Sequence, residues 1–219
     1  MTTVVPEFPK IYHITHFANL ARIVEDGRLW SDAKRLEKQL SCEIVGMSTI
    51  KKRRLEELDV GCHPGTKVGQ YVPFYFCPRS IMLYILHRAN HPDVTYQGGQ
   101  EPMVHLEADL HCVVSRAEKF GRRWAFSTSN AGAKSELVAF HNSLDQLGEI
   151  RWNAVNATDF RAPDITHGKQ AEFLVFESFP WTRVDKIGVK DDAWRRKVET
   201  ILANADHQPK VQVEPSWYF

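Results

Sequence analysis

The chain has no excess charge of either sign: 28 Lys and Arg stand against 27 Asp and Glu, a formal net charge of +1. Whole-chain charge therefore does not announce a nucleic-acid binder, and any basic surface has to come from uneven placement. Apolar runs long enough to span a bilayer are missing. The start, MTTVVPEFPK, lacks the basic residues and apolar stretch of a signal peptide. A soluble, cytoplasmic protein with no membrane contact is the expectation. Cysteine is scarce and scattered, and Cys42, Cys62, Cys77 and Cys112 form no C-x-x-C pair. A chain of 219 residues is too large to need staples, so these read as reduced thiols in a reducing compartment.

The usual nucleotide and catalytic signatures are also missing. No G-x-G-x-x-G follows a strand, which leaves a Rossmann crevice unsupported. The stretch Gly61 to Lys67 has its Lys and Thr in the wrong order for a P-loop, and no G-x-S-x-G elbow occurs. His13 and His16 are three apart, but no carboxylate or second His/Cys pair stands nearby at ligand spacing. No metal is expected, because structural zinc wants four well-spaced ligands.

What is present is enough apolar material, 43% of residues, for one core, and residues 1–219 read as a single domain. Ile11 to Thr15 reads as a strand, followed by a helix at about 17–26 that Gly27 stops. Residues 31–70 are weakly patterned and read as a long functional or mobile loop. Tyr71 to Phe76 is an aromatic strand, and Ile81 to Leu86 continue a helix beginning near Pro78. Met103 to Leu110 alternates as a half-buried strand, with Val104, Leu106, Ala108 and Leu110 on one face. A helix over 133–147 would gather Leu137, Phe140, Leu144 and Leu147. Residues 150–169 look irregular; Ala171 to Phe176 and Val184 to Val189 read as strands, and Asp191 or Asp192 caps a last helix before a strand near Val211 to Val213. Strands and helices mix without regular alternation, which predicts an α+β fold.

Three segments carry chemistry. They are Tyr12-His13-Ile14-Thr15-His16, then Val72 to Tyr84, then Gly168-Lys169-Gln170-Ala171-Glu172-Phe173-Leu174-Val175. A strand histidine, an aromatic strand or a carboxylate heading an apolar strand is each commonplace alone. Together, in this order, they resemble the His–Tyr–Glu layout of ADP-ribosyltransferases. More closely, with Asn19-Leu20, Ile50 to Arg54 and Phe179-Pro180-Trp181, the chain resembles the DarT family of DNA ADP-ribosyltransferase toxins over about residues 10–190.

That resemblance implies an ADP-ribosyltransferase-like split β-sheet core with flanking helices. It implies NAD as co-substrate and transfer of ADP-ribose to a base of single-stranded DNA, with nicotinamide released. The Val72–Tyr84 block favours thymine over guanine as the acceptor. It also implies a macrodomain antitoxin that removes the modification, and a monomer is expected. Glu172 is expected to grip the ribose as positive charge builds and to serve as base toward the thymine ring nitrogen. Arg54 or Arg53 would assist; the register does not decide between them. His13, Thr15, Asn19 and Ser80 are expected to hold the dinucleotide, and Tyr75 and Tyr84 to pack on the nicotinamide. Arg151, Trp152, Asn153, His167 and Lys169, with Arg122 and Arg123, are expected to meet DNA. Transfer to RNA or protein, a non-catalytic NAD or nucleic-acid binding module, and a metal-dependent nuclease around His13, His16 and His63 are the alternatives.

Overall fold

The computed structural model describes residues 4–133 and 138–219. Ten strands and eight α-helices are found among them. The strands are β1 (Lys10–His16), β2 (Arg28–Trp30), β3 (Tyr71–Tyr75), β4 (Met103–Asp109), β5 (Trp124–Ser127), β6 (Phe140–His141), β7 (Glu172–Phe176), β8 (Ser178–Pro180), β9 (Lys186–Val189) and β10 (Lys210–Val213). The α-helices are α1 (Leu20–Glu25), α2 (Asp32–Glu37), α3 (Ser48–Glu56), α4 (Ile81–Arg88), α5 (Leu110–Lys119), α6 (Trp152–Asn156), α7 (Pro163–Gly168) and α8 (Asp192–Leu202). No helix among the described residues is long and apolar enough to cross a membrane.

Eight strands form one sheet in the order β10-β9-β4-β1-β3-β7-β5-β6, and β2 pairs with β8 in a small second sheet. All pairings are antiparallel except β9 with β10. The main sheet opens between β1 and β3. β1 pairs with β4 along its whole length, from Lys10↔Asp109 to His16↔Met103, but meets β3 only at Tyr12↔Tyr75. Pro73 has no N–H to offer a neighbouring strand, and its carbonyl takes the His13 ring nitrogen Nδ1 at 2.8 Å instead. The expected split sheet is therefore present, and a side chain bridges the split.

The largest core cluster lies under the sheet and includes Ile11, Phe74, Leu106, Phe126, Phe173 and Val198. Several expectations need correction. β4 is covered on both faces rather than one: Val104, Leu106 and Ala108 join this cluster, while Met103 belongs to another with Leu83 and Tyr218. Leu110 does not end β4 but opens α5, whose first turn is capped by Asp109 Oδ1 accepting from Cys112 N at 2.9 Å. Residues 31–70 and 150–169 contain α2, α3, α6 and α7 instead of loops alone. The helix expected over 133–147 is not formed where it can be followed: Phe140–His141 is a strand and Leu144–Glu149 is 3-10 helix. Leu137 lies outside the described residues.

Candidate active site

A cleft of about 710 Å3 opens beside the split, walled by β1, α2, α3, α4 and the 38–47 connection. Glu172 is the first residue of β7 and stands directly across the ladder from Tyr75 on β3. It is 3% exposed. Its Oε1 accepts from Arg54 Nη1 at 3.0 Å and its Oε2 from Arg54 Nη2 at 2.9 Å. A third donor, the Ala131 N–H, reaches Oε1 at 3.1 Å. Bidentate pairing fixes both planes at once, which a lysine could not do. The Glu172 backbone N–H is itself held by Ser127 Oγ at 3.1 Å.

Electrostatics follow from this burial. Desolvation works to lower the Arg54 pKa, but the charge and hydrogen bonds of Glu172 outweigh it and the net direction is up. Arg54 is thus a permanent cation. Burial, then the Glu172 charge, pushes the Tyr75 phenol well up, with Arg54 opposing, so it stays protonated. Burial also lowers the His13 pKa, against the raising effect of its bond to Pro73 O. A carbonyl can only accept, so His13 carries its proton on Nδ1 and leaves Nε2 as an acceptor.

His13, Thr15, Asn19, Arg54, Tyr75 and Glu172 all line the cleft. Asn19 has a second task. Its Oδ1 accepts from Glu43 N at 2.7 Å, and its Nδ2 donates to Glu43 O at 3.0 Å and to Thr15 Oγ1 at 3.2 Å. It fastens the 38–47 connection to β1, rather than reaching freely into the cleft.

The family model described as ssDNA thymidine ADP-ribosyltransferase, DarT, matches residues 12–219. The chain belongs to the DarT family. A DNA ADP-ribosyl transferase of Thermus aquaticus is 38% identical over 212 residues, covering 95% of this chain and 88% of that protein. The structure of Thermus sp. 2.9 DarT in complex with ADP-ribosylated ssDNA superposes with a TM-score of 0.86 at 31% identity, over the whole of both chains. The same protein in complex with NAD+ gives 0.80 at 32% identity, over 99% of this chain and all of that one. The chain is thereby one of the NAD-dependent DNA ADP-ribosyltransferases.

Other residues expected to act in a DarT-family site sit elsewhere. Arg53 is one helix position from Arg54 and does not line the cleft; its Nε lies 3.8 Å from Glu57. Ser80 is fully buried as the N-cap of α4, its Oγ accepting from Leu83 N at 3.2 Å. Tyr84 does not line the cleft and packs edge-on against Phe160 and Phe219, each 5.1 Å away. Trp152 is buried against Phe76, with its ring N–H donating to Leu147 O at 2.9 Å, and offers no face to a strand. Lys169 is 3% exposed, and its ammonium donates to Val155 O at 2.7 Å and Ala157 O at 2.9 Å. It caps the C-terminal end of α6 instead of meeting phosphates.

Asn153 is exposed on α6, while Arg151 and His167 are half-buried where α6 and α7 meet. Arg122 and Arg123 lie elsewhere, beside a separate hollow that also includes His63. Arg123 covers the Phe176 ring at 5.3 Å, at the far end of β7 from Glu172, roughly 13 Å along the strand. Neither arginine lines the cleft. The sequence reading missed the turn Ser127 to Gly132. Its small polar residues signal a turn, but only tertiary contact shows that it grips Glu172.

Proposed function

We propose that the cleft holds NAD and that Glu172, locked to Arg54, carries the transfer of ADP-ribose to thymine in single-stranded DNA. The observation that supports this most is the buried Arg54–Glu172 pair on the wall of a cleft shared with His13 and Tyr75. The cleft suits the dinucleotide: its volume is in the range of ligand-enclosing sites, and its lining includes Arg22, Arg28 and Arg35, whose positive charge suits phosphates. NAD supplies the ADP-ribosyl group and nicotinamide as the group that leaves.

Among the described residues, Glu172 Oε1 accepts two hydrogen bonds and Oε2 one. Each carboxylate oxygen has two acceptor positions. Oε2 is therefore the atom with room. It takes the ribose 2′-hydroxyl, holding it more tightly as positive charge builds, or the proton on the thymine ring nitrogen, but one at a time. Arg54 holds the carboxylate through its two hydrogen bonds and faces negative charge developing on the base. His13 Nε2 accepts from a ribose hydroxyl, and the protonated Tyr75 presents its ring to the nicotinamide.

Residues 1–219 act as one domain in this reading. Single-stranded DNA approaches over Arg151, Asn153 and His167. The protein works as a cytoplasmic monomer, and a macrodomain antitoxin removes its product, as the resemblance to DarT toxins implies. Mass spectrometry of oligonucleotides containing each base, after incubation with NAD, tests the reading. A mass gain of one ADP-ribose on thymine-containing strands is expected. A gain on guanine strands alone, or NAD left intact, would overturn it.

A further inference from the structure

Two carboxamides stand beside Glu172 in the cleft wall, Asn130 and Gln170. The two ends of their chain fix which way each one faces. The Gly132 N–H, which can only donate, meets Asn130 Oδ1 at 2.7 Å. Asn130 therefore turns its Nδ2 toward Gln170, donating to Oε1 at 2.9 Å. Gln170 in turn directs Nε2 to Thr166 O, which can only accept, at 3.1 Å. Backbone groups of opposite character anchor the chain, so neither amide can flip without losing a bond at each end.

An amide nitrogen carries two hydrogens. One on each is used within the chain, and among the described residues the other has no partner. Each amide oxygen already accepts one hydrogen bond within the chain. The wall next to Glu172 thus offers two N–H donors. We infer that Asn130 and Gln170 determine acceptor specificity: they receive a carbonyl oxygen that flanks the reacting ring nitrogen of the base. Thymine has carbonyls on both sides of its ring N–H. Cytosine presents an amino group on one side and would set donor against donor, leaving buried polar groups unpaired. The inference rests on the reading of Glu172 given above, and deepens it from the reaction to the choice of base.

The test uses oligonucleotides carrying thymine, 2-thiothymine or 4-thiothymine, with NAD saturating, on the full chain and its Asn130→Asp and Gln170→Glu variants. Sulfur accepts hydrogen bonds more weakly than oxygen. It also alters the acidity of the ring N–H, but equally for every enzyme, so that effect cancels in the ratio between them. Each variant breaks the anchored chain, and one failing to fold leaves the other. For thymine, kcat/KM is expected to fall about tenfold or more in the variants, with the Kd for NAD changed far less. At one of the two sulfur positions, the wild-type penalty is expected to exceed the variants' by at least about fivefold. Identical sulfur effects in all three proteins would overturn the inference. So would equal losses of NAD affinity and thymine turnover, since the amides would then be holding the NAD site as a whole. Glu172→Gln run alongside separates the two readings: full activity in that variant removes the reading of the site, whereas its inactivity with uniform sulfur effects removes only this one.

Discussion

At the scale of single residues, Arg54 and Glu172 make opposite predictions from the same contact. Both are buried, with side chains 13% and 4% exposed. Removing one partner strands the other's charge, so Arg54→Ala is expected to lower stability by about 3–5 kcal/mol, read as a shift in the denaturant midpoint. Glu172→Gln keeps an acceptor for Arg54 and a similar volume, so its structural cost is smaller. Its chemical cost is larger: kcat should fall by a factor on the order of 100 or more, while KM for NAD changes little, because the lost charge acts mainly in the transition state. If both parameters worsen together, Glu172 is a binding residue and not the centre of the reaction. The place of Glu172, heading an apolar strand and sharing the cleft with His13 and Tyr75, was legible in the sequence from the order of the three segments. The choice of Arg54 over Arg53 was not. It depends on which face α3 turns to the cleft, and α3 has hardly any apolar stripe to reveal that.

At the scale of elements, two residues expected at the ligand turned out to hold helices. Ser80 caps α4, so Ser80→Ala should cost about 1 kcal/mol of stability. It should leave KM for NAD unchanged, and a raised KM with unaltered stability would return Ser80 to the cofactor site. Lys169 is tied to the last carbonyls of α6, and both would lose their donor in Lys169→Met, at about 1–3 kcal/mol. DNA binding by that variant should keep the wild-type salt dependence, because the ammonium meets no phosphate. A flatter slope in affinity against salt would show that it does. Both misreadings have one cause. Polar residues near a motif look like ligand contacts until helix ends are located: the start of α4 was read only as near Pro78, and α6 and α7, five and six residues long, are too short to show a period. The strands of the motif had no such problem, because alternation and aromatic content mark β1, β3 and β7 locally.

At the scale of the whole molecule, the α+β class and the strands of the site were readable, whereas the closure of the sheet was not. β4 looked half-buried because its second cover comes from other elements, α4 and residues more than a hundred positions away. Trp217 and Tyr218 pack on His105, with ring centroids 5.5 and 4.9 Å apart. Gly188 makes this possible: a Cβ there would come within 2.2 Å of the Trp217 ring. His105 is fully buried, its Nε2 donating to Pro78 O at 3.1 Å and its Nδ1 facing the Tyr218 hydroxyl at 3.3 Å. Burial pushes its pKa down to about 4, against the raising effect of its backbone hydrogen bonds to Pro78 and Gly188. The unfolded chain thus binds a proton near pH 6.5 that the folded chain refuses until about pH 4. Stability from this group is complete above about pH 6.5 and falls away as the pH drops toward 4, at up to about 1.4 kcal/mol per pH unit and roughly 3 kcal/mol in all. His13, also lowered, acts in the same direction. Asp109, lowered by Lys10 and by hydrogen bonds despite desolvation, contributes at more acid pH. His105→Gln removes only the His105 component. Guanidinium unfolding across this pH range should therefore give a steeper acid loss for the wild type than for the variant, whatever their difference at neutral pH. Parallel curves would mean that His105 already binds its proton in the folded chain, and that the clasp of the C-terminal residues onto the sheet is not what acid opens.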